Sequence, residues 1–168
     1  MNSAPMIPTT AKEAYLHAIK VIKGRFPEGE ATIATEPEWA YEYALNIING
    51  RWPEAEATIV TNPEWAHLYA RDVIKGRFPE AEATIATDPE WAFHYALYVI
   101  KSRWPEAEPT IATDPYRAYS YARDIIKGRW PEVEATIATN PVWYNHYQTF
   151  LTSLGETHEY CTDDSDDC

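Results

Sequence analysis

Between residues 63 and 88 the apolar side chains fall at Ala66, Ala70, Val73 and Ile74. Spacings of four, three and one put them on a single helical face. Trp65 and Tyr69, four apart, flank that face. Asn62 is a good N-cap, Pro63 suits the first helical turn, and Glu64 complements the positive end of the helix dipole. Gly76 is expected to end the helix as a left-handed cap, giving a helix of about 12–13 residues and roughly 20 Å. Phe78 precedes Pro79 and is therefore pushed out of helical conformation, which marks a corner. Pro79 opens a second helix with Glu80 and Glu82 in its first turn and with Ile85 and Ala86 as its apolar contribution. Asp88–Pro89 opens the next element, so this second helix has only about eight residues and must be held by packing.

The pattern recurs. GRFPEGEATIAT begins at Gly24, GRWPEAEATIVT at Gly50, GRFPEAEATIAT at Gly76, SRWPEAEPTIAT at Ser102 and GRWPEVEATIAT at Gly128, a constant period of 26 residues. Two-helix units are expected at 11–36, 37–62, 63–88, 89–114 and 115–140, then a capping helix at 141–154. A unit this small cannot bury its apolar face alone, and stacking does so. The predicted fold is an all-α solenoid of tandem αα-hairpin repeats, forming one repeat domain over 11–154. An N-terminal arm (1–10) and an acidic C-terminal tail (155–168) flank it. The end units diverge as caps should: Glu13 and His17 stand where later units have Trp and Tyr, and Tyr144 and Gln148 where others have Ala.

Charge narrows the function. The chain has 168 residues, with 26 acids against 14 bases and a net charge of −12. Residues 156–168 hold six acids and no base, and residues 1–155 hold 20 acids and 14 bases, so the tail carries half the excess. Direct nucleic-acid binding, which needs a basic surface, is disfavoured. No run reaches the roughly 20 apolar residues of a membrane span, and the first residues lack the pattern of a secretory signal. Cys161 and Cys168 are too few for a disulfide framework, though they could close one small loop. A cytoplasmic protein is expected. The tail reads as a solvated acidic terminus, with a divalent-cation site at DDSDD as the alternative.

The repeat positions offer little chemistry. Paired carboxylates such as Glu80/Glu82 could serve a hydrolase, but the pair occurs five times and an active site needs one. Arg51, Arg77, Arg103 and Arg129 (with Arg25) could line an anion ladder; two first-turn acids accompany each, so bonding within the repeats is the expectation. Gly50, Gly76 and Gly128 mark the helix ends. Trp39, Trp65, Trp91 and Trp143 form one aromatic row, and Phe26, Trp52, Phe78, Trp104 and Trp130 a second at the corner. Both read as packing between units, with a stacking platform as the alternative. The five histidines make no metal pair on a helical face, and no nucleotide-binding or nucleophile motif occurs. No enzyme, no cofactor and no metal are expected.

YARDVIKGRFPEAE (69–82), YALYVIKSRWPEAE (95–108) and YARDIIKGRWPEVE (121–134) resemble a short tandem repeat of predicted proteins of tailed phages and large DNA viruses. The resemblance covers about residues 11–147 and implies a viral or mobile-element origin, with the host cytoplasm as compartment. Ser102 replaces the glycine of other units, implying a different helix end, and Arg117 replaces Trp, implying a different local surface.

The expected function is a non-enzymatic scaffold that binds another macromolecule, foremost a protein. Specificity should sit where the units vary: Tyr41, Glu42 and Leu45; His67, Leu68 and Arg71; Phe93, His94 and Leu97; Tyr119, Ser120 and Arg123. One alternative is an acidic DNA mimic that occupies a host nucleic-acid-binding defence enzyme. Another is self-assembly by end-to-end stacking, which the diverged end units oppose.

Overall fold

The structure, a computed structural model, describes residues 8–155. The readings on the tail and on Cys161 and Cys168 lie outside the described residues. Every described element is helical, and the fold is an α-solenoid of two-helix repeats. Among the described residues no helix is long and apolar enough to cross a membrane. The chain divides into two compact units, Met1–Ile111 and Ala112–Cys168.

The first unit contains α1 (Ala11–His17), α2 (Pro27–Ile33), α3 (Pro37–Tyr43), α4 (Pro53–Ile59), α5 (Pro63–Leu68), α6 (Pro79–Ile85), α7 (Pro89–Tyr95) and α8 (Glu108–Ile111). Each odd-numbered helix continues without a break into a π-helical turn: Ala18–Ile22, Ala44–Ile48, Tyr69–Ile74 and Ala96–Ile100. Together α3 and its π turn cover the length the spacing predicts. Every first helix packs on the second helix of its own repeat, and α1, α3, α5 and α7 pack in succession, as do their π turns. The alanines Ala40, Ala44, Ala66, Ala70, Ala92 and Ala96 are fully buried and permit this approach. Ile33, Ile59 and Ile85 from the second helices fill the layer between, each contributing about 1.5–3 kcal/mol of apolar burial. Tyr69, expected at the flank, is fully buried, as are Tyr43 and Tyr95.

The caps follow the sequence. Asn62 Oδ1 accepts from the backbone N–H groups of Glu64 and Trp65, and Asp88 Oδ1 from those of Glu90 and Trp91. Thr10 and Glu13 form a reciprocal capping box on α1. Pro109 changes the fourth repeat. It has no N–H to donate, so residues 105–107 form a turn and α8 begins late, at Glu108.

The helix ends correct one expectation. The left-handed residue is not the glycine but the residue before it: Lys23, Asn49, Lys75, Lys101 and Lys127 have φ between 56° and 60°. The π turn widens the last ring. The Lys75 N–H and then the Gly76 N–H both return to the Ala70 carbonyl, so the chain reverses one residue early. Gly76 itself keeps negative φ and open space at its missing Cβ. At Ser102 the left-handed residue is unchanged: Lys101 takes φ 60° like its equivalents, and its N–H returns to the Ala96 carbonyl.

The second unit contains α9 (Pro115–Tyr121) with its π turn Ala122–Ile126, a 3₁₀ turn Pro131–Val133, α10 (Glu134–Ala138) and the capping helix α11 (Pro141–Ser153). α9, α10 and α11 pack mutually. Arg117 lays its guanidinium over the Tyr116 ring, 4.7 Å from the centroid, and Tyr116 packs on Trp143 at 4.4 Å.

Candidate interaction surface

The recurrent polar residues build one clamp. Arg77 donates from Nε and Nη2 to the two carboxylate oxygens of Glu82, both at 2.7 Å. Tyr95, from the next repeat, donates its hydroxyl to Glu82 Oε1 at 3.0 Å and accepts the Phe78 backbone N–H at 2.7 Å. The same arrangement joins Arg51, Glu56, Tyr69 and Trp52, and also Arg25, Glu30, Tyr43 and Phe26. In the second unit it joins Arg129, Glu134, Tyr147 and Trp130. Arg103 binds Glu108 in the same fork. Arg25, Arg51 and Arg77 hold Glu30, Glu56 and Glu82 below the ordinary carboxylate range, and burial raises the Tyr95 hydroxyl. The arginine forks engage the second acid of every PE-x-E pair, and the clamp tyrosines satisfy the backbone N–H groups of Phe26, Trp52, Phe78 and Trp130.

The aromatic rows divide by depth. Trp52, Phe78, Trp104 and Trp130 at the corner are buried. Phe26 is half-buried over Gly29, whose added Cβ would meet the Phe26 ring at 2.3 Å. Trp39, Trp65, Trp91 and Trp143 are half-buried. Trp39 packs on Tyr15 at 5.5 Å and Trp65 on Tyr41 at 5.7 Å, ring centroid to ring centroid.

The variable row does not form one surface. Tyr41, His67, Phe93 and Tyr119, all at the fifth position of their repeats, are buried, and so is Ser120. The fifth position is buried because the next repeat covers it: Tyr41 packs on Trp65, His67 on Trp91 and Tyr119 on Trp143. Tyr41 reaches into the next repeat, where its hydroxyl donates to Asp72 Oδ2 at 2.9 Å. Glu42, Leu68 and His94, at the sixth position, are half-buried. The ninth position reaches the surface: Leu45 and Leu97 are half-buried, and Arg71 and Arg123 exposed.

His67 stands apart. It is 1% exposed, and neither ring nitrogen has a hydrogen-bond partner. Trp91, His94 and Tyr95 surround it, with ring centroids at 5.8, 6.1 and 6.3 Å. Burial pushes its pKa down to about 4, and the charges of Arg71 and His94 act in the same direction. Among the described residues no cluster of three or more His, Cys, Asp or Glu side chains could hold a metal.

Two clefts open beside the π turns of the first unit. The first, of about 190 Å³, is lined by Leu45, Asn49, Gly50, Asp72, Val73 and Lys75. The second, of about 160 Å³, is lined by Arg71, Lys75, Gly76, Tyr98, Val99 and Lys101. Every lining residue of the second lies 26 positions after one of the first, so they are one groove built twice. Glycine, valine and a left-handed residue form the frame. The ninth and tenth positions change: Leu45 with Asp72 in one cleft, Arg71 with Tyr98 in the other. The tenth position is a variable column missed in the sequence. The signal lies in the sequence: Lys20, Asn46, Asp72 and Tyr98 differ in chemistry, and Asp124 repeats only the acid of Asp72. Arg71 is neutralised by a fork onto Asp72 at 2.7 and 2.8 Å, which leaves Lys75 and Lys101 as the charge of the second cleft.

These features define an α-solenoid with a serial groove in its first unit. No known family, no curated protein and no solved structure matches the chain.

Proposed function

We propose that the chain is a non-enzymatic scaffold that binds another protein, and that the serial clefts of its first unit are the binding surface. One observation carries this reading: equivalent clefts recur at the repeat period with an unchanged frame and altered reading residues. That is how a solenoid generates specificity along a surface. Tyr98, 51% exposed at the second cleft, has the character of an interface anchor. The site thus moves from the buried fifth position to the ninth and tenth. The test is affinity purification from the source cell with the native chain and a Tyr98→Ala/Lys101→Glu variant. Both side chains are exposed, so folding should survive. A partner retained by the native chain should be lost by the variant; equal capture by both would sink the assignment.

The decoy reading keeps one supporting observation. In the first unit Glu36, Glu38, Glu64, Asp88 and Glu90 cluster at the N-terminal ends of the first helices, the edge opposite the clefts. If that edge is the binding surface, capture should fall steeply with added salt and disappear in a Glu38→Lys/Glu64→Lys variant.

A further inference from the structure

We propose that the two clefts take a polyproline-II segment carrying an acidic side chain at every third residue; this rests on the scaffold reading above. The clefts lie between the π turns of adjacent first helices, which pack directly on one another. Directly packed helices stand about 8–10 Å apart, so the groove repeats on that length. A polyproline-II chain has three residues per turn and rises about 3.1 Å each, returning the same face roughly every 9.3 Å. A β-strand returns the same face about every 6.6 Å and falls out of step after one cleft.

The chemistry of the walls agrees with this shape. Val73, Val99 and the exposed Tyr98 ring give the apolar and aromatic lining that proline rings prefer. Lys75 borders both clefts and Lys101 the second, one repeat apart. Their ammonium groups sit at helix C-termini, where cations are favoured, and they have the spacing to meet carboxylates at i and i+3. Arg71 does not compete for those carboxylates, because Asp72 occupies its fork.

The probe is a fluorescein-labelled dodecapeptide of four Glu-Pro-Pro triplets, followed by anisotropy on the full chain. It should bind at least about tenfold more tightly than four Lys-Pro-Pro triplets or six Glu-Pro pairs. A Lys75→Glu/Lys101→Glu variant, verified as folded by its helical circular dichroism and melting curve, should reverse the preference toward Lys-Pro-Pro. Equal affinity for the three peptides, or binding unchanged in the variant, overturns the proposal. A random displayed-peptide library separates this failure from that of the scaffold reading. Selected peptides that lose binding with Tyr98→Ala but lack acids at i and i+3 overturn the ligand chemistry and leave the clefts as the site. Selected peptides indifferent to every cleft substitution overturn both.

Discussion

His67 carries an unrelieved cost in the first unit. Two buried ring nitrogens lack partners at a position where other repeats place Tyr or Phe, and a buried unsatisfied group costs about 1–3 kcal/mol. His67→Phe should therefore raise the melting temperature at pH 7, as the same residue serves at Phe93. The pH dependence has a definite sign. The folded pKa, about 4, lies below the ordinary 6.5, so the fold favours neutral imidazole. This contribution is fully present above pH 6.5 and is lost as pH falls from 6.5 toward 4, on the order of 3 kcal/mol. Melts of both proteins at pH 7, 5.5 and 4.5 check this: the acid loss should shrink in His67→Phe. A variant that melts lower at pH 7 with an undiminished acid loss would contradict it. A second residue-scale expectation concerns the helix ends. A left-handed lysine costs roughly 1–2 kcal/mol that glycine avoids, so Lys127→Gly should stabilise. Gly76→Ala should be neutral or slightly stabilising, as Ser102 already implies. Urea unfolding of the two variants tests both directions.

At the scale of the element, the clamp ties one repeat to the next through the tyrosine hydroxyl. Its members contribute unequally. The Arg77–Glu82 fork is largely exposed on the arginine side, so Arg77→Ala should cost less than about 1 kcal/mol. Tyr95→Phe strands the buried Phe78 N–H and removes a bond to a carboxylate, and should cost about 1–3 kcal/mol. Paired denaturation curves decide it; an arginine variant worse than the tyrosine variant would place the stability in the ion pair instead. Much of the element level was legible in the chain itself. Asn62–Pro63 and Asp88–Pro89 mark helix starts, and the alanine spacing marks the packed face, because both are local consequences of side-chain type. The clamp was not legible: Tyr95 meets Phe78 across 17 residues, a distance fixed by stacking alone. The cap was misplaced for a related reason. The π turn adds a residue to the last ring, and a rule built on α-helical endings then points to Gly76 instead of Lys75. Pro109 sat in plain view, but the shift of α8 follows only from the missing N–H.

For the molecule as a whole, charge is distributed by function of place. In each second helix the second acid of the PE-x-E pair is held by its clamp arginine. The acids Glu36, Glu38, Glu64 and Asp88 sit at the other end of the first helices, roughly 18 Å away along a twelve-residue helix. That separation exceeds the Debye length of about 10 Å at 0.1 M salt, so those acids do not offset the cleft lysines Lys75 and Lys101. The fold class and period could be read from the sequence; the location of the binding surface could not, because burial of the fifth position depends on the neighbouring repeat. The most direct test is a nuclear magnetic resonance titration of the isotopically labelled chain with a peptide selected from the random library. Binding in the serial groove requires backbone amide shifts at Asn49, Gly50, Lys75, Gly76 and Lys101. Shifts confined to Glu38, Glu64 and Glu90 at the acidic edge would contradict it.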